Sequence, residues 1–264
     1  MNNDEKVILT CCDGTATLVF QNTSLNILSM PMRRQIDECI DQLLERDNIR
    51  VLILHGAGER AFSVGSDIKE FDPRPGYGIE RNTEEHRVFN KIRNFPFPTI
   101  AAIEGYALGG GLELALTCDL RVASETSMLG VPEITLGVFP GGGGCNHLTR
   151  LLGVSKAKEL MYTGDPIDAQ EALRIGLINR LAPKGQALQV AQDLGRHIAS
   201  RSGLSLQVIK EVADQGIEMP IRESFRLEIE GSERLFNGTD VQEGVKAFRE
   251  KRPPVFNRKP PSKK

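Results

Sequence analysis

The chain has no tryptophan, and aromatic residues make up only 5% of its 264 positions. That scarcity disfavours a stacking surface for nucleic acid. Neither sign of charge dominates: 33 Lys and Arg face 35 Asp and Glu, a formal net charge of -2. No global field therefore draws the chain to nucleic acid or to an anionic membrane. No apolar run approaches the length of a membrane span. The five cysteines, Cys11, Cys12, Cys39, Cys118 and Cys145, form no CxxC pair. Their odd count argues against a disulfide framework and fits a reducing compartment. Cys118 follows an apolar helical run and reads as a core thiol. His55, His86, His147 and His197 are scattered without ligand spacing, so no metal site is expected. The start, Met1 to Lys6, is polar and acidic, unlike a secretory or Arg-rich transit leader. The expected location is cytoplasmic. Only the tail, Asn257 to Lys264, is locally basic, and it reads as solvated.

What is present is a regular alternation. Val7–Thr10 and Thr15–Phe20 are β-type runs parted by Asp13-Gly14, a hairpin signal. Met32, Ile36, Ile40, Leu43 and Leu44 recur at helical spacing behind Pro31. Val51–Leu54 is a short apolar run suited to a strand covered on both faces. Helix is then expected over 84–93, strand over 99–103, helix over 109–118 and strand over 120–123. Such alternation predicts an α/β fold with right-handed crossovers. From Ser155 onward the pattern is almost entirely helical, with Asp168 and Asp240 as N-caps and Pro220 just inside a helix start. Two parts are expected: a core over 1–200 that carries the chemistry, and a helical region with the basic tail over 201–264.

Two acidic segments stand out. In Gly105 to Ala115, three glycines, Gly109 to Gly111, open a helix that carries Glu113. Three glycines at a helix start cost chain entropy. In return they let a ligand approach bare N–H groups with the positive helix end behind them. The spacing matches neither a dinucleotide fingerprint nor a Walker A loop. Glu113 alone reads as a structural first-turn acid, but it projects from the helix face where the Gly110 amide points. The second acid, Glu133, lies in Pro132 to Gly141, a Gly/Pro-bounded loop. Gly141 to Gly144 is either a plain turn or a helix start left bare for substrate or water. Ala61 to Lys69 reads as a strand-to-helix turn capped by Ser66 or Asp67, without the spacing of a serine-nucleophile elbow. Amides able to hold an oxyanion, with two acids, are the parts needed for proton chemistry beside a carbonyl.

In order, Ala61–Lys69, Gly105–Ala115, Pro132–Gly144 and Ala247–Arg252 resemble the blocks of the crotonase superfamily, the enoyl-CoA hydratase/isomerase family. The resemblance runs from about Val7 to Val255. It implies a stack of ββα units with a helical C-terminal region that builds trimers, often paired into hexamers. It implies an acyl-CoA substrate, with coenzyme A as part of that substrate and no separate cofactor. It implies that the Ser66 and Gly110 amides form an oxyanion hole, and that Glu113 and Glu133 are the catalytic acids. Keeping both acids favours a hydro-lyase over an isomerase. Other crotonase-type dehydratases or hydrolases, and a non-catalytic member, are the alternatives. Lys69 and Lys251 match positions that meet the phosphates of coenzyme A, and Gly141 belongs to the substrate loop. Cys145-Asn146-His147 departs from the family's usual Thr-Gln-Arg, and Ser66 stands where Ala or Asn is frequent. Arg74, Tyr77 and Arg81 make the expected acyl-pocket stretch polar, which suggests a short or polar acyl group.

Overall fold

The structure, a computed structural model, describes residues 6–256. The basic tail expected from Asn257 onward lies outside them. The chain opens with β1 (Val7–Cys12) and β2 (Thr15–Phe20), antiparallel and joined by Asp13-Gly14. Both turn residues have positive φ, 48° and 78°, the geometry that matches a right-handed strand twist. Helix α1 (Met30–Leu44) follows, with Pro in its first turn.

Three units of the same kind come next. Strands β3 (Val51–Gly56) and β4 (Ala61–Ser63) precede α2 (Tyr77–Arg93). Strands β5 (Thr99–Ile103) and β6 (Tyr106–Leu108) precede α3 (Gly110–Leu116). Strands β7 (Leu120–Ser124) and β8 (Met128–Gly130) precede α4 (Gly144–Leu152). Each unit gives its first strand to a six-stranded sheet and its second to a four-stranded one. After α5 (Val154–Thr163) come β9 (Ile167–Asp168), α6 (Ala169–Arg174), β10 (Arg180–Ala182) and α7 (Ala187–Ala199). Helices α8 (Gly203–Gly216), α9 (Ile221–Phe236) and α10 (Thr239–Arg249) end the described chain.

The large sheet has the order β1-β2-β3-β5-β7-β10, and the small one β4-β6-β8-β9. Beyond the β1–β2 hairpin the large sheet is parallel, and its central strands are covered on both faces. Alternation along β3 divides the two cores. Leu52 and Leu54 enter the larger core with Met32 and Ile36 of α1 and Val88 of α2. Val51 and Ile53 lie under Ala187, Ala191 and Leu194 of α7. This is why the run reads as continuously apolar.

Several expectations are corrected here. Helix α2 starts at Tyr77 rather than Glu84, because its first two turns are polar and show no apolar stripe. The almost entirely helical pattern expected after Ser155 is interrupted by two short strands, β9 and β10, which complete the two sheets. Asp168 is an N-cap, accepting from Glu171 N at 2.8 Å. Asp240 is not: Gly238 takes that place and Asp240 sits in the first turn. Pro220 occupies the N-cap position rather than the first helical one. Cys118 is buried among apolar side chains, and burial pushes its thiol up to about 12, so it is a core thiol without reactivity. Among the described residues no helix is long and apolar enough to cross a membrane.

Candidate active site

Strands β4, β6 and β8 are parallel neighbours, so their C-terminal ends open on the same side. In parallel sheets that side is where ligands settle. Ser66 follows β4, Gly110 follows β6 and Glu133 follows β8. Three positions far apart in sequence thus meet for a topological reason.

The Ser66 and Gly110 segments touch. Gly65 has φ +86°, and a Cβ there would lie 2.8 Å from the Gly110 nitrogen. Gly109 has φ +54° and ψ -132°, a conformation open only to glycine. Its backbone N–H continues the small sheet by donating to Gly130 O at 2.9 Å. The bend there starts α3 with Gly110 buried beside Ser66, whose Oγ is 3.6 Å from the place of a Gly110 Cβ.

The two acids flank this corner. Glu113 is buried in the first turn of α3 and accepts from Gly144 N at 2.9 Å. The start of α4, expected either as a plain turn or as left bare for substrate or water, instead binds a protein carboxylate. Glu133 sits in a 3-10 turn, Pro132–Leu136, where a plain loop was expected. A Cβ on Gly109 would lie 3.2 Å from Glu133 Oε1, while Glu133 Oε2 is buried without a hydrogen-bond partner. Burial pushes Glu113 up to about 8, reinforced by the charges of Glu85 and Glu133 and opposed by the Gly144 and Gly142 amides. Burial also raises Glu133, with Glu85 raising it further and Arg81 lowering it.

A third carboxylate, Glu85 of α2, completes the cluster and was missed in the sequence. It is fully buried and pairs with Arg33 at 3.1 Å and with Arg81 at 3.2 Å. A Cβ on Gly142 would touch both the Glu113 carboxylate, at 2.7 Å, and that of Glu85, at 3.1 Å. Arg33 Nη2 and Arg81 Nη2 also donate to Ser66 Oγ, at 2.7 and 2.6 Å. The available signal was an acid and a base on apolar stripes. Glu85 shares the buried face of α2 with Val88, Phe89 and Ile92, and Arg33 that of α1 with Met32, Ile36 and Ile40.

The other expected positions lie outside these contacts. Gly141 faces Asn82, whose Nδ2 is 2.6 Å from the place of a Cβ. Lys69 is exposed on the 3-10 turn Ile68–Glu70, which Asp67 caps instead of Ser66. Lys251 is exposed just after α10, with φ +53°. Arg74 is held by Asp72 and Glu80, and the Tyr77 hydroxyl donates to Glu70 O. Of the three polar residues expected at the acyl pocket, only Arg81 reaches the cluster.

A family model for enoyl-CoA hydratase/isomerase matches residues 13–259. The chain belongs to that family. A Bacillus subtilis strain 168 protein named "Probable enoyl-CoA hydratase" is 38% identical over 244 residues, spanning 91% of this chain and 94% of its own. A short-chain-enoyl-CoA hydratase of Clostridium acetobutylicum is 35% identical over 237 residues, 87% of this chain and 88% of its own. The crystal structure of an enoyl-CoA hydratase from Bacillus anthracis superposes with a TM-score of 0.91 at 34% identity, covering 96% of this chain and 99% of that one. The family's ββα stack is the architecture described above, with paired strands feeding two sheets and a helix closing each unit.

Proposed function

We propose that this family member is a hydro-lyase that adds water to a 2-enoyl-CoA thioester and removes it from the 3-hydroxyacyl-CoA. The observation that carries the reading is the pair of buried acids at the glycine corner. Glu133 lies against Gly109, and Glu113, in the first turn of the helix that Gly110 opens and bonded to Gly144 N, is near enough for the Glu133 charge to raise it. Two acids there suit the placing of a water, whereas moving a double bond needs only one proton-transfer group.

In this reading the thioester oxygen sits on the Ser66 and Gly110 N–H groups, which stabilise the enolate. Losing one such donor typically costs about 3–4 kcal/mol of transition-state stabilisation. In hydration Glu113 takes a proton from the water and Glu133 gives one to the α-carbon. In dehydration Glu133 removes the α-proton and Glu113 protonates the leaving hydroxyl. Burial raises both acids, Glu113 up to about 8, so a protonated Glu113 is at hand at neutral pH for dehydration. No separate cofactor enters any step. Lys69 and Lys251 are assigned to the coenzyme A phosphates, and Gly141 to the substrate loop, by position in the family pattern.

The same reading takes 1–200 as the catalytic core and 201–264 as the assembling region, in a homotrimer or a dimer of trimers. Exposed Ile209, Ile221, Ile229, Phe236 and Phe248 on α8–α10 support such an assembly. Free thiols suit a reducing setting such as the cytoplasm. The test is crotonyl-CoA turnover, followed by loss of the conjugated-thioester absorbance. A gain of one water that Glu113→Gln abolishes is expected. Double-bond migration without water would favour an isomerase, and release of free coenzyme A a hydrolase.

A further inference from the structure

A cavity of 310 Å³ opens beside Ser66, between the start of α1 and the first turns of α2. Its inner wall is made by Ser66, Arg33 and Arg81, and its outer part by Phe71 and Tyr77. Arg33 is only 2% exposed and Glu85 not at all. Burying such charges is expensive, and an apolar core of similar volume often does as well or better for stability. The ion pairs therefore call for an explanation other than holding the fold.

The Ser66 hydroxyl supplies one. A serine oxygen has two acceptor sites and one proton. Both acceptor sites are filled, by Arg33 Nη2 at 2.7 Å and Arg81 Nη2 at 2.6 Å. The hydroxyl can then only donate. Arg33 Nε is a second buried donor, without a partner. Three of the four acidic side chains at the cavity are engaged elsewhere, Glu80 with Arg74, Glu84 with Arg87 and Asp67 with Lys69 N, and the fourth, Glu70, is exposed on the 3-10 turn. Donors thus stand on the inner wall of the cavity, while the carboxylates behind them, Glu85 and Glu133, are not part of its lining.

We propose that the acyl group carried into this site bears a carboxylate, received by the Ser66 hydroxyl and the Arg33 and Arg81 guanidiniums. A guanidinium fork matches a carboxylate in shape and charge. This rests on the acyl-CoA reading of the corner. The phosphates of coenzyme A are a second source of anionic oxygen, but the pantetheine arm holds them away from a thioester seated at Gly110. Glu85 keeps the two arginines in place and is a positioning residue.

The test is titration of the full chain with three ligands that cannot be hydrated: glutaryl-CoA, pentanoyl-CoA and free coenzyme A. Glutaryl-CoA should bind about tenfold or more tightly than pentanoyl-CoA, the usual scale for hydrogen bonds to a charged group. Ser66→Ala and Arg81→Met should each erase that preference while leaving free coenzyme A unaffected. The Arg81 side chain is 20% exposed, which makes its replacement the gentler one for folding. Equal binding of the two acyl ligands by the unmodified protein overturns the proposal. So does a uniform loss for all three ligands in the variants, which would place the donors on the thioester or the phosphates. A glutaryl-CoA preference without hydration of any enoyl-CoA would sink the hydro-lyase reading alone. Hydration of crotonyl-CoA with pentanoyl-CoA preferred would sink this one alone.

Discussion

The two sheets do different work with the same kind of strand. The central strands of the large sheet, β2, β3, β5 and β7, run five or six residues and are buried on both faces. The members of the small sheet run two or three residues, and three of them lead into glycine corners or a 3-10 turn. One sheet buries apolar area and holds the chain together. The other holds little area but aligns Ser66, Gly110 and Glu133 at one edge. Separating the two lets the site keep buried, unfavourably placed carboxylates without weakening the part that folds the protein.

That division can be broken from either side. Glu113→Gln or Glu133→Gln should lower turnover by about 100- to 10,000-fold, the range for losing a positioned acid or base. The fold should be held or even strengthened by the first. From the ordinary value of 4.5 up to about 8, folded Glu113 keeps a proton that the unfolded chain releases. Stability from this group therefore falls as pH rises through that window, and a neutral glutamine escapes the loss. Melting at neutral pH, read beside activity, checks both halves; a large fall in melting temperature would contradict the division.

A subtler break is Gly142→Ala. Its Cβ would sit 2.7 Å from Glu113 Oε2, so the carboxylate must shift. Displacement of a catalytic group on that scale costs about 100-fold in rate. Steady-state kinetics should show kcat falling more than KM rises. The converse change is Leu54→Ala in β3, at 0% exposure within the larger core. It should cost about 2–5 kcal/mol of stability, while the folded fraction, measured by denaturant titration and assayed below its transition, keeps its turnover.

The gentlest sharpening is pH. In the proposed mechanism dehydration uses protonated Glu113 and ionised Glu133. Its rate should fall as pH rises through about 8. It should fall again at acid pH, at a value above that of an ordinary glutamate because burial raises Glu133. A rate profile flat to well above 8 would remove Glu113 from the role of acid.

The same contrast explains what could be read from the residues alone. The Asp13-Gly14 hairpin, the stripe of α1 and the apolar run of β3 are long or chemically marked, and each stands where expected. Strands β4, β6 and β8 have three residues each, too few to show any period. The polar first turns of α2 were lost for the same lack of pattern. Glu113 and Glu133 were visible because glycines surround them. Glu85 and Arg33 were not read, because their pairing spans 52 residues and a charge on an apolar stripe does not name its partner. The meaning of such a charge lies in its partner, and that is set by how α1 packs on α2.

The most direct test of the central claim is the mass of the product formed from crotonyl-CoA in heavy-oxygen water. The account predicts a product heavier by one water whose new oxygen comes from solvent, formed by the unmodified chain and not by Glu113→Gln. A product of unchanged mass, or label found only in a free acid released with coenzyme A, would contradict it.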